Sequence, residues 1–145
     1  MNWFNMATRV LRMSQQIRRR LPAGTKIPPK APGLDRLRLH LFSADFANAA
    51  EAEAFAFAGD EDRPTALNRS LTGAMIDTAE VEVVHGDIDM RLAEFLDPGE
   101  ADDILLRMAG DNRLIIVTEH AFGGLPYDLN DTDRLTYLGP TLVDV

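Results

Sequence analysis

Acids and a histidine crowd one stretch of the chain: Glu80, Glu82, His85, Asp87 and Asp89. Such a set is chemically capable of holding a divalent metal or of supplying a carboxylate pair that works as general acid and base. The spacing supports only part of that. In a strand, Glu80 and Glu82 share one face, while His85 has the opposite parity and Asp87 lies beyond Gly86. The stretch therefore reads either as a small metal-dependent hydrolase site built from Glu80, Glu82, Asp87 and Asp89, or as an acidic recognition face, or as a solvated edge. Asp128, Asn130 and Thr132 have the D-x-N-x-T spacing of a calcium loop, but an EF-hand needs glycine at its sixth position and glutamate at its twelfth, where this chain has Asp133 and Gly139. A turn whose Asx side chains bond their own backbone is the expectation there. His40, His85 and His120 come singly from separate segments, without the pairing of a zinc helix. No G-x-S-x-G elbow or phosphate-binding glycine motif occurs, so Gly123-Gly124 reads as a turn. No catalytic set and no cofactor is expected.

The elements that must position these residues follow from periodicity. Leu37, Leu39 and Leu41 alternate with Arg36, Arg38 and His40, which predicts a first strand with one face on the core. ANAAEAEAFAFA predicts a helix over about 48–58 with Asn48 as its cap, and GDEDRP at 59–64 breaks it in a solvated loop. A short helix is expected over 65–72. Val81 and Val83 alternate with Glu80 and Glu82 in a second strand with an acidic outer face. Asp87 opens a short helix through Leu96, and Asp97-Pro98-Gly99-Glu100 starts another that Gly110 stops. Leu114 to Val117 is a continuous, β-branched-rich apolar run suited to a central strand, followed by a long loop and a return strand through Leu135, Tyr137 and Leu138 in hairpin fashion. The sum is an α+β domain: a small, mostly antiparallel sheet of about four strands with helices packed on it.

A chain of 145 residues, 46% hydrophobic and 26% charged, suits one globular core, and no apolar run approaches a membrane span. The absence of cysteine excludes disulfides and thiolate chemistry. The net charge of −8 is unevenly distributed. Seven of the 15 Lys/Arg and none of the 23 acids lie in residues 1–34, leaving eight basic residues against all 23 acids in residues 35–145. An acidic domain of that kind repels nucleic acid and steers a basic partner, or is simply kept soluble. Within the basic part, Trp3, Ala7, Val10, Ser14, Ile17 and Leu21 form one stripe, which predicts a basic amphipathic helix over 1–21 that could pack on a second copy. Its charges follow the apolar residues, the reverse of a secretory signal, so no export signal is expected. Pro22, Pro28, Pro29 and Pro32 make 22–34 a linker. The domains expected are thus 1–34, basic helix and linker, and 35–145, the acidic α+β domain.

Several stretches in order have the texture of a known family: LRLHLFSADF leading into EAEAFAF, MIDTAEVEVVHG followed by AEFL, and NRLIIVTEHAFGG returning as RLTYLG. Through these, residues 37–145 resemble the immunity protein 22 family of bacterial polymorphic toxin systems. The resemblance implies a cytoplasmic protein that binds and neutralises a cognate toxin domain through a surface, without catalytic residues. A toxin that attacks nucleic acid presents a basic cleft, which an inhibitor can occupy with carboxylates. The partner-binding residues expected are Glu80 and Glu82 on the strand, Asp60, Glu61 and Asp62 on the first acidic loop, and Asp128, Asp131 and Asp133 on the long loop. Phe122 and Tyr127, with Leu125, are expected as apolar anchors, although Phe122 and Leu125 equally suit a lid on the sheet. The alternatives from other classes are the hydrolase above and a structural or regulatory subunit.

Overall fold

A computed structural model describes residues 36–144. The amphipathic helix expected over 1–21 and the linker over 22–34 lie outside the described residues. Four strands, β1 (Arg36–Ala44), β2 (Val81–Val84), β3 (Arg113–Thr118) and β4 (Thr136–Asp144), form one sheet in the order β2-β3-β1-β4, antiparallel at every pairing. Helices α1 (Ala49–Phe57), α2 (Ala66–Ser70), α3 (Ile88–Ala93) and α4 (Pro98–Met108) join them. The fold is α+β, as the pattern predicts.

Both faces of the sheet are covered. On one, Phe42, Val81, Val83, Ile115 and Val117 pack with Phe55 and Ala56 of α1, Leu67 of α2, and Phe122 and Leu135 of the segment between β3 and β4. On the other, Leu39, Leu41, Val84, Leu114 and Ile116 pack with Leu92 of α3 and Ala101, Ile104 and Met108 of α4. Two apolar layers explain why Leu114–Val117 is a continuous hydrophobic run: both of its parities are buried. They also correct the expectation of a one-faced first strand. Arg36 and Arg38 are exposed, but from His40 onward the polar-side positions are buried too, because β1 is an inner strand with a covering layer on each side.

A second correction concerns the return strand. β4 does not form a hairpin with β3; it pairs with β1, so Leu39 faces Thr118 on one side and Thr141 on the other. Both edges of β3 are already taken, by β2 and β1. Residues 119–135 therefore cross the sheet face over β1 before β4 begins. The edge position tolerates Pro140, whose missing N–H would interrupt an inner ladder. Beside it, the β1–β4 register slips between Leu41 and Phe42, where Gly139 takes φ 93°.

Local capping follows the sequence in most places. Asn48 accepts from the Glu51 N–H at 2.8 Å, Thr65 from Asn68 at 3.1 Å and Asp87 from Met90 at 3.0 Å. Asp97 precedes α4 as expected, yet its side chain makes no capping bond, and Pro98 at the first helical position sets the start instead. Ala109, at φ 54°, ends that helix in the left-handed region one residue before Gly110.

Candidate functional site

Of the acidic face expected on β2, one member is not available to a partner. Glu82 is 2% exposed. Glu80 and Glu82 do share a face, but that face is covered by α3, from which Arg91 Nε donates to Glu82 at 2.9 Å and its Nη2 at 3.2 Å. Arg91 is itself buried and also donates to Glu94 at 2.7 Å. Burial pushes the Glu82 carboxyl above its ordinary range, against the pull of Arg91. Glu80 is half-buried and accepts from the Thr118 hydroxyl at 2.6 Å. Asp87 caps α3 and Asp89 is exposed. The four carboxylates of the hydrolase reading thus have four different environments, one of them filled by an arginine. Among the described residues no three His, Asp or Glu side chains stand where they could hold a metal ion.

The crossing segment fares differently, because the sheet organises it. His40, on inner strand β1, is 2% exposed and sits at the centre of a polar cluster. Its Nε2 lies 2.7 Å from Glu119 Oε2, and its Nδ1 lies 2.9 Å from the Tyr137 hydroxyl. The Tyr127 hydroxyl donates to both Glu119 oxygens, at 2.9 and 2.8 Å. A carboxylate cannot donate, so His40 carries its proton on Nε2, and Nδ1 accepts from Tyr137. Phe122 closes the group, edge-on to His40 with ring centres 5.3 Å apart and stacked on Tyr127 at 4.1 Å.

The electrostatics agree with a neutral imidazole. Burial lowers the His40 pKa, opposed by the Glu119 carboxylate. At Glu119 burial acts upward, but the hydrogen bonds from His40 and Tyr127 outweigh it and the net direction is down. Tyr127 is raised by burial and by its bond to Glu119. Tyr137 is raised to about 12, by burial first and then by the neighbouring Tyr127 and Glu119. Every one of these polar atoms is engaged within the cluster. What the arrangement does is fasten the start (Glu119) and middle (Tyr127) of the crossing segment to β1 and β4.

Beyond the fastening points the segment is open to solvent. Gly123 and Gly124, at φ 61° and 78°, turn it outward, and Leu125 is 52% exposed. Asp128, Asp131 and Asp133 are exposed. The Asp128 N–H donates to the Gly73 carbonyl at 3.0 Å, and Asp131 accepts from the Tyr137 N–H at 2.7 Å. Thr132 accepts from the N–H groups of Arg134 and Leu135. Of the three residues at calcium-loop spacing, Thr132 thus uses its side chain to brace a turn, as Asp131 does between them. Asp60, Glu61 and Asp62 are exposed on the loop after α1. Phe122, expected as either an anchor or a lid, is 2% exposed and serves as the lid, whereas Leu125 projects outward.

Little in the sequence pattern announces the polar cluster. Its one sequence signal was the position of His40 at the same parity as Phe42, an apolar residue on what looked like the wet side of the strand. His85 is separate, 2.7 Å from Glu53 through Nε2, and His120 is exposed. No protein-family model matches the chain, and neither a curated protein nor a solved structure matches it.

Proposed function

We propose that this acidic domain is a cytoplasmic binding protein that neutralises a cognate toxin domain, basic and acting on nucleic acid, by protein–protein contact. The observation that carries the reading is the crossing segment. It is held to the sheet by the His40–Glu119–Tyr127 cluster while presenting Leu125, Asp128, Asp131 and Asp133 to solvent. A loop fixed before it meets its partner loses less conformational entropy on binding than a free one. Its exposed carboxylates are suited to replace phosphates in a basic cleft, and Leu125 adds the apolar contact that charges alone lack. Asp60, Glu61 and Asp62 extend the acidic surface, whereas Glu82 is withdrawn from it by Arg91.

The test pairs the protein with the toxin domain encoded beside it and follows association at two ionic strengths. Asp128, Asp131 and Asp133 are replaced together by asparagine, which keeps an acceptor for the Tyr137 N–H. The expected result is association roughly 3- to 10-fold slower at low salt, with the deficit shrinking as salt rises. An unchanged rate at low salt removes the crossing segment from the interface.

A further inference from the structure

Between the end of α1, the 59–65 loop and residues 75–78 lies a cleft of about 380 Å³. Phe57, Met75 and Ile76 contribute its apolar wall, and Met75 is 64% exposed, one of the few large apolar side chains that the described surface leaves in water. Asp60, Glu61 and Asp77 line the same cleft, and no lysine, arginine or histidine is among its lining residues. We propose that this cleft receives a lysine or arginine side chain of the partner protein. The inference deepens the binding reading and rests on it for the existence of a protein partner.

The chemistry is that of a long basic side chain. Its methylene stem is apolar and its tip is charged, so it needs both an apolar wall and acceptors, and this cleft is lined by both. A neutral apolar ligand would leave the three carboxylates unmatched, and an anion would be repelled. Two of the three acids, Asp60 and Asp77, are also held in place before any ligand arrives. Asp60 accepts from the N–H groups of Asp62 and Arg63 at 2.9 and 2.8 Å while its own N–H donates to the Arg63 carbonyl at 2.8 Å. At Gly59 an added Cβ would stand 2.7 Å from that same carbonyl, so the turn is closed as tightly as a glycine permits. Asp77 accepts from the Ala79 N–H at 3.0 Å. The side chains of Asp60 and Asp77 each accept through Oδ1 alone, and the other carboxylate oxygen remains for a ligand.

The experiment uses the full chain with its methionine methyl groups isotopically labelled, and the Met75 signal is assigned with Met75→Leu. The probes are the capped tripeptides Gly-Arg-Gly and Gly-Lys-Gly, with Gly-norleucine-Gly as a control of the same stem without charge. The expected result is a saturable shift of the Met75 methyl with the two basic peptides and none with the control. The variant D60N/E61Q/D77N keeps the acceptors that close the local turns, and its melting temperature shows whether it is folded. It should bind the basic peptides about tenfold more weakly at low salt, with the gap narrowing as salt rises. An equal response to norleucine marks a cleft for uncharged apolar ligands and overturns the proposal. So do shifts that the triple variant retains in full, and an unresponsive Met75. The peptide titration needs no toxin, so its failure leaves the crossing-segment reading standing, and failure of toxin pairing leaves the cleft to be judged on its own.

Discussion

The chain has two tyrosines, and both belong to the His40 cluster. That makes the cluster visible to a simple titration. Tyr127 and Tyr137 are both raised above the ordinary value of 10.0, Tyr137 to about 12. Tyrosinate absorbance of the native protein should therefore show no transition centred at pH 10, and denaturant should restore one. The linkage has a definite sign. A group whose folded pKa exceeds its unfolded value contributes stability that is present below pH 10 and lost as pH rises through about 12, so the protein should become easier to unfold across that window. A native transition at pH 10 would mean that the phenols are solvated and the clamp open. Glu82 teaches the complementary lesson at the same scale. A carboxylate that alternates with valines looks solvent-facing until an arginine nine residues away, on α3, removes it from solvent.

Among the elements, the crossing segment is the one whose position has to be explained, since it has little regular structure beyond the 3₁₀ turn Glu119–Phe122. Besides the cluster, it is seated where Gly73 and Asp128 meet. A Cβ at Gly73 would stand 2.8 Å from the Asp128 carbonyl oxygen and 3.0 Å from its Cβ. Gly73→Ala should thus force the two backbones apart, at a cost of about 1–3 kcal/mol, and should speed hydrogen exchange at the Asp128 amide, which donates to Gly73. Gly99 is the matched control. It lies in the first turn of α4 with nothing within 4 Å of an added Cβ, so Gly99→Ala should be neutral or stabilising by up to about 1 kcal/mol. Similar urea midpoints for the two variants would show that the Gly73 contact does not hold the segment.

At the scale of the whole molecule, charge is the dominant asymmetry. All 23 acids lie in residues 35–145 with only eight arginines. Several ion pairs join exposed partners, among them Arg36–Asp144 and Arg134–Glu51, and such pairs offset little of the repulsion. Raising salt from about 0.02 to about 0.3 M should therefore raise the melting temperature, because screening relieves like-charge repulsion faster than it weakens exposed pairs. A fall in melting temperature would mean that attraction outweighs repulsion, as it would if the basic residues 1–34 paired with the acidic domain.

The sequence by itself determined most of the helices and strands and several of their starts. Asn48, Thr65 and Asp87 cap helices within the chain's own next turn, and the β-branched-rich run 114–117 announces a strand buried on both sides; these are short-range effects of propensity and spacing. Which elements would be neighbours was a different matter. The order β2-β3-β1-β4 depends on which strand edges remain free once β1 and β3 have paired, and no local spacing encodes that. From this one decision came the rest. It sent residues 119–135 across the sheet, covered His40, gathered Glu119, Tyr127 and Tyr137 around it from positions up to 97 apart in sequence, and left Asp128, Asp131 and Asp133 on the outside. The burial of Glu82 was equally out of reach, since an alternating pattern reports the parity of a side chain and only the packing of α3 decides whether that parity meets water or an arginine.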